Sequence, residues 1–167
     1  MKLKATAFAC LIMGMISCTK SDDNITEDVL TVQLTANKWY HYTEEIYDLS
    51  GNIEYISNLN NDNCDAFDYI LLKEDYTKYE VLYDDYTSNC EVHHWGGTWS
   101  YDQHSQIITL IDEDEDEPNG TYTIKAQLIN VNSRELRIRI LQDGDDTDFD
   151  EELTIWTFKS TPEKYMD

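Results

Sequence analysis

The sequence contains few positive charges, few glycines and almost no proline. Its 167 residues include 12 lysines and arginines against 34 aspartates and glutamates, together with six glycines and two prolines. A chain this acidic does not suit nucleic acid, because the phosphates of nucleic acid require cationic partners. The charged partners that it favours are cations, either metal ions or basic peptides and proteins.

The common catalytic and metal-binding motifs are also absent from the sequence. There is no G-x-S-x-G, no P-loop and no dinucleotide-binding pattern. A zinc site needs about four converging ligands, and no C-x-x-C, H-x-H or H-E-x-x-H spacing supplies them. His93 and His94 are adjacent, so on a strand they would point to opposite faces. We therefore expect a protein that binds rather than catalyses and that needs no cofactor.

The one long apolar run lies at the N-terminus. The basic stretch "MKLK" precedes "ATAFACLIMGMI", and Cys18 follows shortly after. The run is too short to span a bilayer as a helix and is typical of an export signal. A cysteine directly after a small residue resembles a bacterial lipobox. The resemblance implies cleavage before Cys18 and acylation of its thiol and of the new N-terminus; the alternative is an ordinary signal peptide that is cut elsewhere.

The residues after Cys18 bear on localisation and domain organisation. The acidic, serine-containing stretch "TKSDDN" is similar to the surface-export signal of Bacteroidetes lipoproteins. That resemblance implies an outer-membrane lipoprotein exposed at the cell surface; the alternative is a solvated linker on a periplasm-facing lipoprotein. The chain then divides into a signal peptide (1–17), a lipidated N-terminus with an acidic tether and short helix (18–35), one β-barrel domain (36–160) and a C-terminal tail (161–167).

The cysteine count suggests a single disulfide. Cys10 is removed with the signal and Cys18 carries lipid, which leaves Cys64 and Cys90. Two thiols in an oxidising compartment usually form a disulfide. The alternative is a metal site that combines these cysteines with histidines.

Short alternating runs dominate the chain after residue 36. In "ELRIRIL" the apolar Leu136, Ile138 and Ile140 share one face and Arg137 and Arg139 the other. Such runs recur at regular spacing, which predicts an all-β fold, an antiparallel up-and-down β-barrel of eight to nine strands after a short N-terminal helix or turn. The predicted strands are 38–47, 53–57, 67–73, 77–83, 95–101, 106–111, 121–129, 135–141 and 152–159.

The predicted connections alternate between short and long. A nine-strand meander would place all the tight turns at one end of the barrel and all the long loops at the other. The long loops are expected to carry 17 of the 34 acidic residues, which would form an acidic rim. The long loops are 58–66, 84–94, 112–120 and 142–151.

Several aromatic and turn features recur through the predicted barrel: Trp39, Cys64 followed by "DYILLKEDYTKY", Cys90 followed by "GGTWSYD" and "IITL", and "YTIKAQLINVNSRELRI". In these features the sequence resembles the lipocalin-like domains of Bacteroidetes lipoproteins. The resemblance covers residues 36–159, and it departs from the family at Tyr76, where an Asp-Gly turn is usual. It implies a β-barrel with a small-molecule cavity but carries no defined ligand or catalytic residue.

Two groups of residues are candidate binding sites. Trp39, Trp95, Trp99 and Tyr122 would form the aromatic wall of a ligand cavity, and the alternative for them is core packing. The stretch "DGDDTDFDEE" is rich in carboxylates, which Ca²⁺ prefers, although it lacks the ordered spacing of an EF-hand. The Ca²⁺ ligands predicted from it are Asp145, Asp148 and Asp150.

Three functions are consistent with these features. The first is a lipid-anchored, non-catalytic barrel that binds a small apolar or amphipathic ligand. The second is a surface interaction module whose acidic loops, with or without Ca²⁺, contact a cationic protein or ion. The third is a glycan-acting enzyme, for which Glu45 is the candidate general acid because simple alternation places it on the strand face of Trp39 and His41. The sequence does not define an oligomeric state.

Overall fold

Nine antiparallel β-strands form one sheet that closes into a barrel in the computed structural model. The structure describes residues 23–59, 64–84, 90–113, 120–144 and 153–162. No helix in these ranges is long and apolar enough to cross a membrane. The elements are α1 (Asp23–Thr35), β1 (Lys38–Tyr47), β2 (Ile53–Asn58), a 3₁₀ turn (Asp65–Phe67), β3 (Tyr69–Leu72), β4 (Thr77–Asp84), β5 (Glu91–Asp102), β6 (Ile107–Glu113), β7 (Thr121–Val131), β8 (Glu135–Asp143) and β9 (Leu153–Lys159).

The barrel itself contains eight strands. Consecutive strands from β3 to β9 pair as neighbours, and β1 closes the ring by pairing with β3 on one edge and β9 on the other. The prediction of an antiparallel barrel of eight to nine strands, preceded by a short helix, is confirmed. The ninth strand, β2, pairs only with β1 among the described residues.

The first connection differs from the predicted meander. β2 pairs with residues 43–47 of β1 and β3 pairs with residues 38–40, both antiparallel and on the same edge of β1. The two strands are therefore successive halves of one interrupted strand. As a result, the tight turn after β1 lies at the same end as the loops after β4, β6 and β8. The predicted separation of all tight turns from all long loops is wrong at this turn.

Helix α1 covers the other end of the barrel, which we call the closed end. Leu34 of α1 has no exposed surface and belongs to the core, and its carbonyl accepts a hydrogen bond of 2.7 Å from the indole N–H of Trp39. The turns after β3, β5 and β7 lie at the same end. The core is apolar and fills this half of the barrel; it consists of Leu34, Trp39, Ile70, Leu72, Trp99, Ile108, Leu110, Ile124, Ala126, Leu128, Leu136, Ile138, Ile140 and Phe158.

The predicted disulfide is confirmed. Cys64 and Cys90 are bonded, with their Cα atoms 5.3 Å apart. The bond ties the segment between β2 and β3 to the residue before β5. Beside it, the rings of Phe67 and Tyr83 meet edge to face at 5.9 Å. The interruption of the strand is thus held against the outside of the barrel wall by a covalent bond and an aromatic contact.

The turn between β3 and β4 has Tyr76 where lipocalin-like domains usually have the glycine of an Asp-Gly turn, and the structure explains how tyrosine is tolerated there. Tyr76 has a φ of 63°, in the left-handed region that favours glycine. Asp75 stabilises the turn by accepting hydrogen bonds from the backbone and hydroxyl of Thr77 at 3.0 and 2.6 Å. The Tyr76 ring also packs on Trp99 with the ring centres 5.5 Å apart. A contact that glycine cannot make therefore compensates for the unfavourable backbone conformation.

Candidate functional site

The aromatic and histidine-rich stretch at residues 90–102 is one long strand, β5. The strand begins at Glu91, four residues earlier than predicted, so His93 and His94 both lie within it. His94 stacks on Tyr79 at 5.6 Å, whereas His93 is the register partner of Leu82 on the inner face. The two histidines therefore point to opposite faces, as expected. The residues of β5 that face the barrel interior include Trp95, Gly97 and Trp99.

Gly97 is needed because strands β5 and β6 approach closely at this position. A Cβ atom on Gly97 would lie 2.1 Å from the carbonyl oxygen of Ile111 and 2.6 Å from Oδ1 of Asp112. These separations are far below van der Waals contact. A Cβ atom on the neighbouring Gly96 would meet nothing within 4 Å. A glycine within a strand often marks such a close backbone approach, and of the two glycines the structure assigns it to Gly97.

A buried lysine spans the space above Gly97. Lys78 on β4, Gly97 on β5 and Asp112 on β6 are successive register partners, so they form one row across the wall. The Nζ of Lys78 lies 2.7 Å from Oδ2 of Asp112 and 2.6 Å from Oε2 of Glu80, and its side chain has no exposed surface. A buried charge is tolerated only when it is paired in this way. We call Lys78, Glu80 and Asp112 the lysine cluster.

The lysine cluster keeps Glu80 ionised. Burial by itself would raise the pKa of Glu80, but the imidazole of His41 and the ammonium of Lys78 outweigh it and lower the pKa to about 2. Lys78 is in direct contact with Glu80, whereas Nε2 of His41 lies 3.6 Å from Oε1 of Glu80, which is longer than a hydrogen bond. The carboxylate therefore stays negative throughout the physiological pH range.

A β-bulge in β1 changes which glutamate faces inward. The pairing of β1 with β9 shifts between His41 and Thr43, which inserts one extra residue and reverses the alternation beyond it. Glu44 consequently accepts a hydrogen bond of 3.1 Å from the indole N–H of Trp156. Glu45 instead pairs with Arg137 at 3.1 Å. The prediction that Glu45 shares the inner face with Trp39 and His41 is wrong.

Above the lysine cluster the barrel interior is open. A cavity of about 180 Å³ is lined by Glu80, Leu82, Trp95, Asp112, Glu113 and Tyr122. A cleft of about 560 Å³ adjoins it, shares Trp95, Asp112 and Glu113, and is also lined by residues on the outer face of β5, among them His94 and Thr98. Trp95 is 44% exposed, although it stands on the inner face of a central strand. We refer to this space as the upper cavity; the lysine cluster separates it from the apolar core.

The four aromatic residues predicted to line a cavity fall into two pairs. Trp39 and Trp99 are 0% and 3% exposed and lie in the core, where the indole N–H groups donate to backbone carbonyls of Leu34 and Lys73. Trp95 and Tyr122 line the upper cavity, and the hydroxyl of Tyr122 donates to Asp143. The structure thus favours core packing for the first pair and a cavity wall for the second.

The predicted metal ligands and the lipidation site cannot be placed. Asp145, Asp148, Asp150 and Cys18 lie outside the described residues. Within the described ranges, no group of three or more histidine, cysteine, aspartate or glutamate side chains is arranged to hold a metal ion.

The sequence analysis missed the lysine cluster because it assigned Asp112 to a solvated acidic loop. In the structure Asp112 is the penultimate residue of β6 and is buried. A signal was present: in "IITLID" the alternation of Ile108, Leu110 and Asp112 places the aspartate on the inner face. When a carboxylate continues the inward-facing row of apolar residues on a strand, a buried partner of opposite charge is expected beside it.

Protein-family models, curated proteins and solved structures gave no match to the chain. The site is therefore interpreted from its own geometry.

The pKa of Glu80 predicts a specific loss of stability in acid. Because the pKa in the folded state is about 2 against an ordinary 4.5, the ionised carboxylate stabilises the fold above pH 4.5, and this contribution is lost as the pH falls toward 2. We expect Glu80→Gln to reduce the free energy of unfolding by on the order of 3 kcal/mol at neutral pH. Urea titrations should show the difference from wild type shrinking between pH 4.5 and 2.

The exposed Glu54 on β2 provides the matched control. Glu54→Gln should leave the free energy of unfolding within about 0.5 kcal/mol of wild type at every pH. A Glu80→Gln difference that is as large at pH 2.5 as at pH 7 would contradict the assignment of the low pKa to this carboxylate.

Proposed function

We propose that the protein is a non-catalytic, lipocalin-like barrel that binds a small ligand in the upper cavity. The observation that carries the proposal is the position of Trp95, an inward-facing indole that stays 44% exposed beside an open space. Large aromatic side chains on the inner face of a barrel normally pack into the core, as Trp39 and Trp99 do. An aromatic surface left open in a concave site is a common feature of ligand pockets.

The polarity of the upper cavity supports the same function. Leu82, Trp95 and Tyr122 provide apolar and aromatic surface, and Glu80 and Asp112 provide a few fixed polar groups. This combination of an apolar wall with a small number of polar groups is typical of small-molecule sites. The disulfide fixes the residue before β5, the strand that carries Trp95, so the ligand would enter a site whose wall is held in place.

The size of the upper cavity limits the ligand. An engineered cavity of about 150 Å³ in another protein holds a single benzene molecule. The inner part of the upper cavity, about 180 Å³, is only slightly larger. The ligand would therefore place one ring, or an apolar group of similar size, beside Trp95, and any longer part would extend into the adjoining cleft.

We further propose that the protein is anchored to the outer membrane through lipid on Cys18 and is displayed at the cell surface. The support is in the sequence: an apolar export signal, a cysteine directly after a small residue, and the acidic stretch "TKSDDN" behind it. Several acyl chains anchor a protein stably, because each buried methylene adds about 0.8 kcal/mol. The tether would join the barrel at α1, at the end opposite the upper cavity, and so leave that cavity accessible.

Replacing Trp95 tests the binding function. Titration of the ¹⁵N-labelled protein with 2-phenylethanol, an uncharged single-ring probe, should give saturable NMR shifts of residues that line the upper cavity. We expect Trp95→Ala to weaken this binding at least about tenfold, since one stacking surface is worth about 1.4 kcal/mol or more. Ile129→Ala, which removes an apolar side chain of similar exposure from another part of the sheet, should leave the affinity unchanged. Saturable shifts that survive Trp95→Ala would place binding elsewhere and contradict the proposal.

Replacing Cys18 tests the anchor. Cys18→Ser should move the protein from the membrane fraction to the soluble fraction of cells, because the acylated thiol would be lost. Metabolic labelling with a fatty-acid analogue should mark the wild type and fail to mark the variant. Cys10→Ser, which alters a cysteine within the export signal, is the control and should remain labelled. Retention of Cys18→Ser in the membrane fraction would overturn the assignment.

A further inference from the structure

The inner face of the barrel carries an excess of negative charge above the core. Four carboxylates face inward, one from each of four strands, at the level of the upper cavity. Among the described residues that face inward at this level, the basic side chains are Lys78, His41 and His93. The four carboxylates are Glu44 on β1, Glu80 on β4, Asp112 on β6 and Asp143 on β8.

The buried Lys78 does not cancel the negative charge that a ligand in the upper cavity would meet. Lys78 has no exposed surface and is already in contact with both Glu80 and Asp112. It cannot turn toward a molecule in the upper cavity without giving up its contacts with both carboxylates. One full charge on the lysine is shared by two carboxylates, so the floor of the upper cavity stays negative. Glu113, the exposed residue after Asp112, adds a further carboxylate at the rim of the cavity rather than on its floor.

The aromatic lining suits the same kind of ligand. The faces of indole and phenol rings carry partial negative charge and attract cations within about 6 Å. Trp95 and Tyr122 both line the upper cavity beside the carboxylates. The carboxylates and the ring faces therefore favour the same sign of charge on the ligand, and an anionic ligand would be repelled by both.

We infer that the upper cavity selects a compact organic cation, a protonated amine attached to a single ring or an apolar group of similar size. The ammonium group would sit near Glu80, Asp112 and Glu113, and the apolar body would lie against Trp95. This inference rests on the proposed binding function and adds the charge of the ligand to it.

The test compares three probes of equal size that differ in charge. Isothermal titration of the purified protein with 2-phenylethylammonium, 2-phenylethanol and phenylacetate measures each affinity at low and at high salt. The ammonium probe should bind at least about tenfold more tightly than the alcohol, and phenylacetate more weakly than either. Raising the salt concentration should weaken the binding of the ammonium probe and leave the affinity for the alcohol unchanged, because salt screens charges near the mouth of the cavity.

A conservative variant at the mouth of the cavity separates charge from folding. Glu113 is exposed and lies outside the lysine cluster, so Glu113→Gln should fold normally. This variant should weaken the binding of the ammonium probe about threefold and leave the affinity for the alcohol unchanged, since a partly exposed charge contributes only modestly. Glu54→Gln, an exposed carboxylate of β2 that does not line the cavity, should change neither affinity.

The possible outcomes separate the two proposals. If the alcohol binds as tightly as the ammonium probe, or if Glu113→Gln affects both probes equally, the upper cavity binds ligands but does not select cations, and the inference is overturned. If none of the three probes binds, the proposed binding function fails and the inference fails with it. A preference for the ammonium probe that falls with salt and with Glu113→Gln supports both.

Discussion

The contact between Lys78 and Asp112 over Gly97 is the interaction on which the rest of the interior depends. Removing an ammonium group from water is costly unless it is paired and hydrogen-bonded. Here the pairing reaches from β4 to β6, across the intervening strand, at 2.7 Å. It is possible because the residue between them is Gly97, at a position where even a Cβ atom would collide with Ile111 and Asp112. The absence of a side chain at Gly97 thus sets the positions of the charged groups of Lys78, Glu80 and Asp112.

The lysine cluster divides the barrel interior into two unlike halves. Toward the closed end the space is filled by apolar side chains and covered by α1. The burial of these apolar side chains stabilises the fold. Toward the other end, charged groups take the place of apolar ones, and the interior opens beside Trp95. The bulge in β1 contributes to this change, because it brings Glu44 to the inner face just above His41. A packed core and an accessible cavity therefore coexist in one small barrel.

The sequence was sufficient for the parts of the fold that follow from local pattern. All nine strands and the short helix were predicted, because alternation of apolar residues reports strand faces directly. The disulfide was predicted from the cysteine count together with the expectation that the chain is exported. The placement of β2 and β3 on one edge of β1 did not follow, because it depends on pairing between distant segments. The inward turn of Glu44 was missed because one extra residue at Tyr42 reverses the alternation, and no local pattern marks it. The lysine cluster joins β4 to β6 across β5, so only the register reveals it.

The stability of Gly97→Ala compared with Gly96→Ala tests this account most directly. The two variants add the same methyl group to adjacent residues of one strand, and only the first meets another atom. The account predicts that Gly97→Ala lowers the free energy of unfolding by at least about 2 kcal/mol. Gly96→Ala should remain within about 0.5 kcal/mol of wild type. Equal effects of the two substitutions would contradict the claim that the close approach at Gly97 holds the lysine cluster in place.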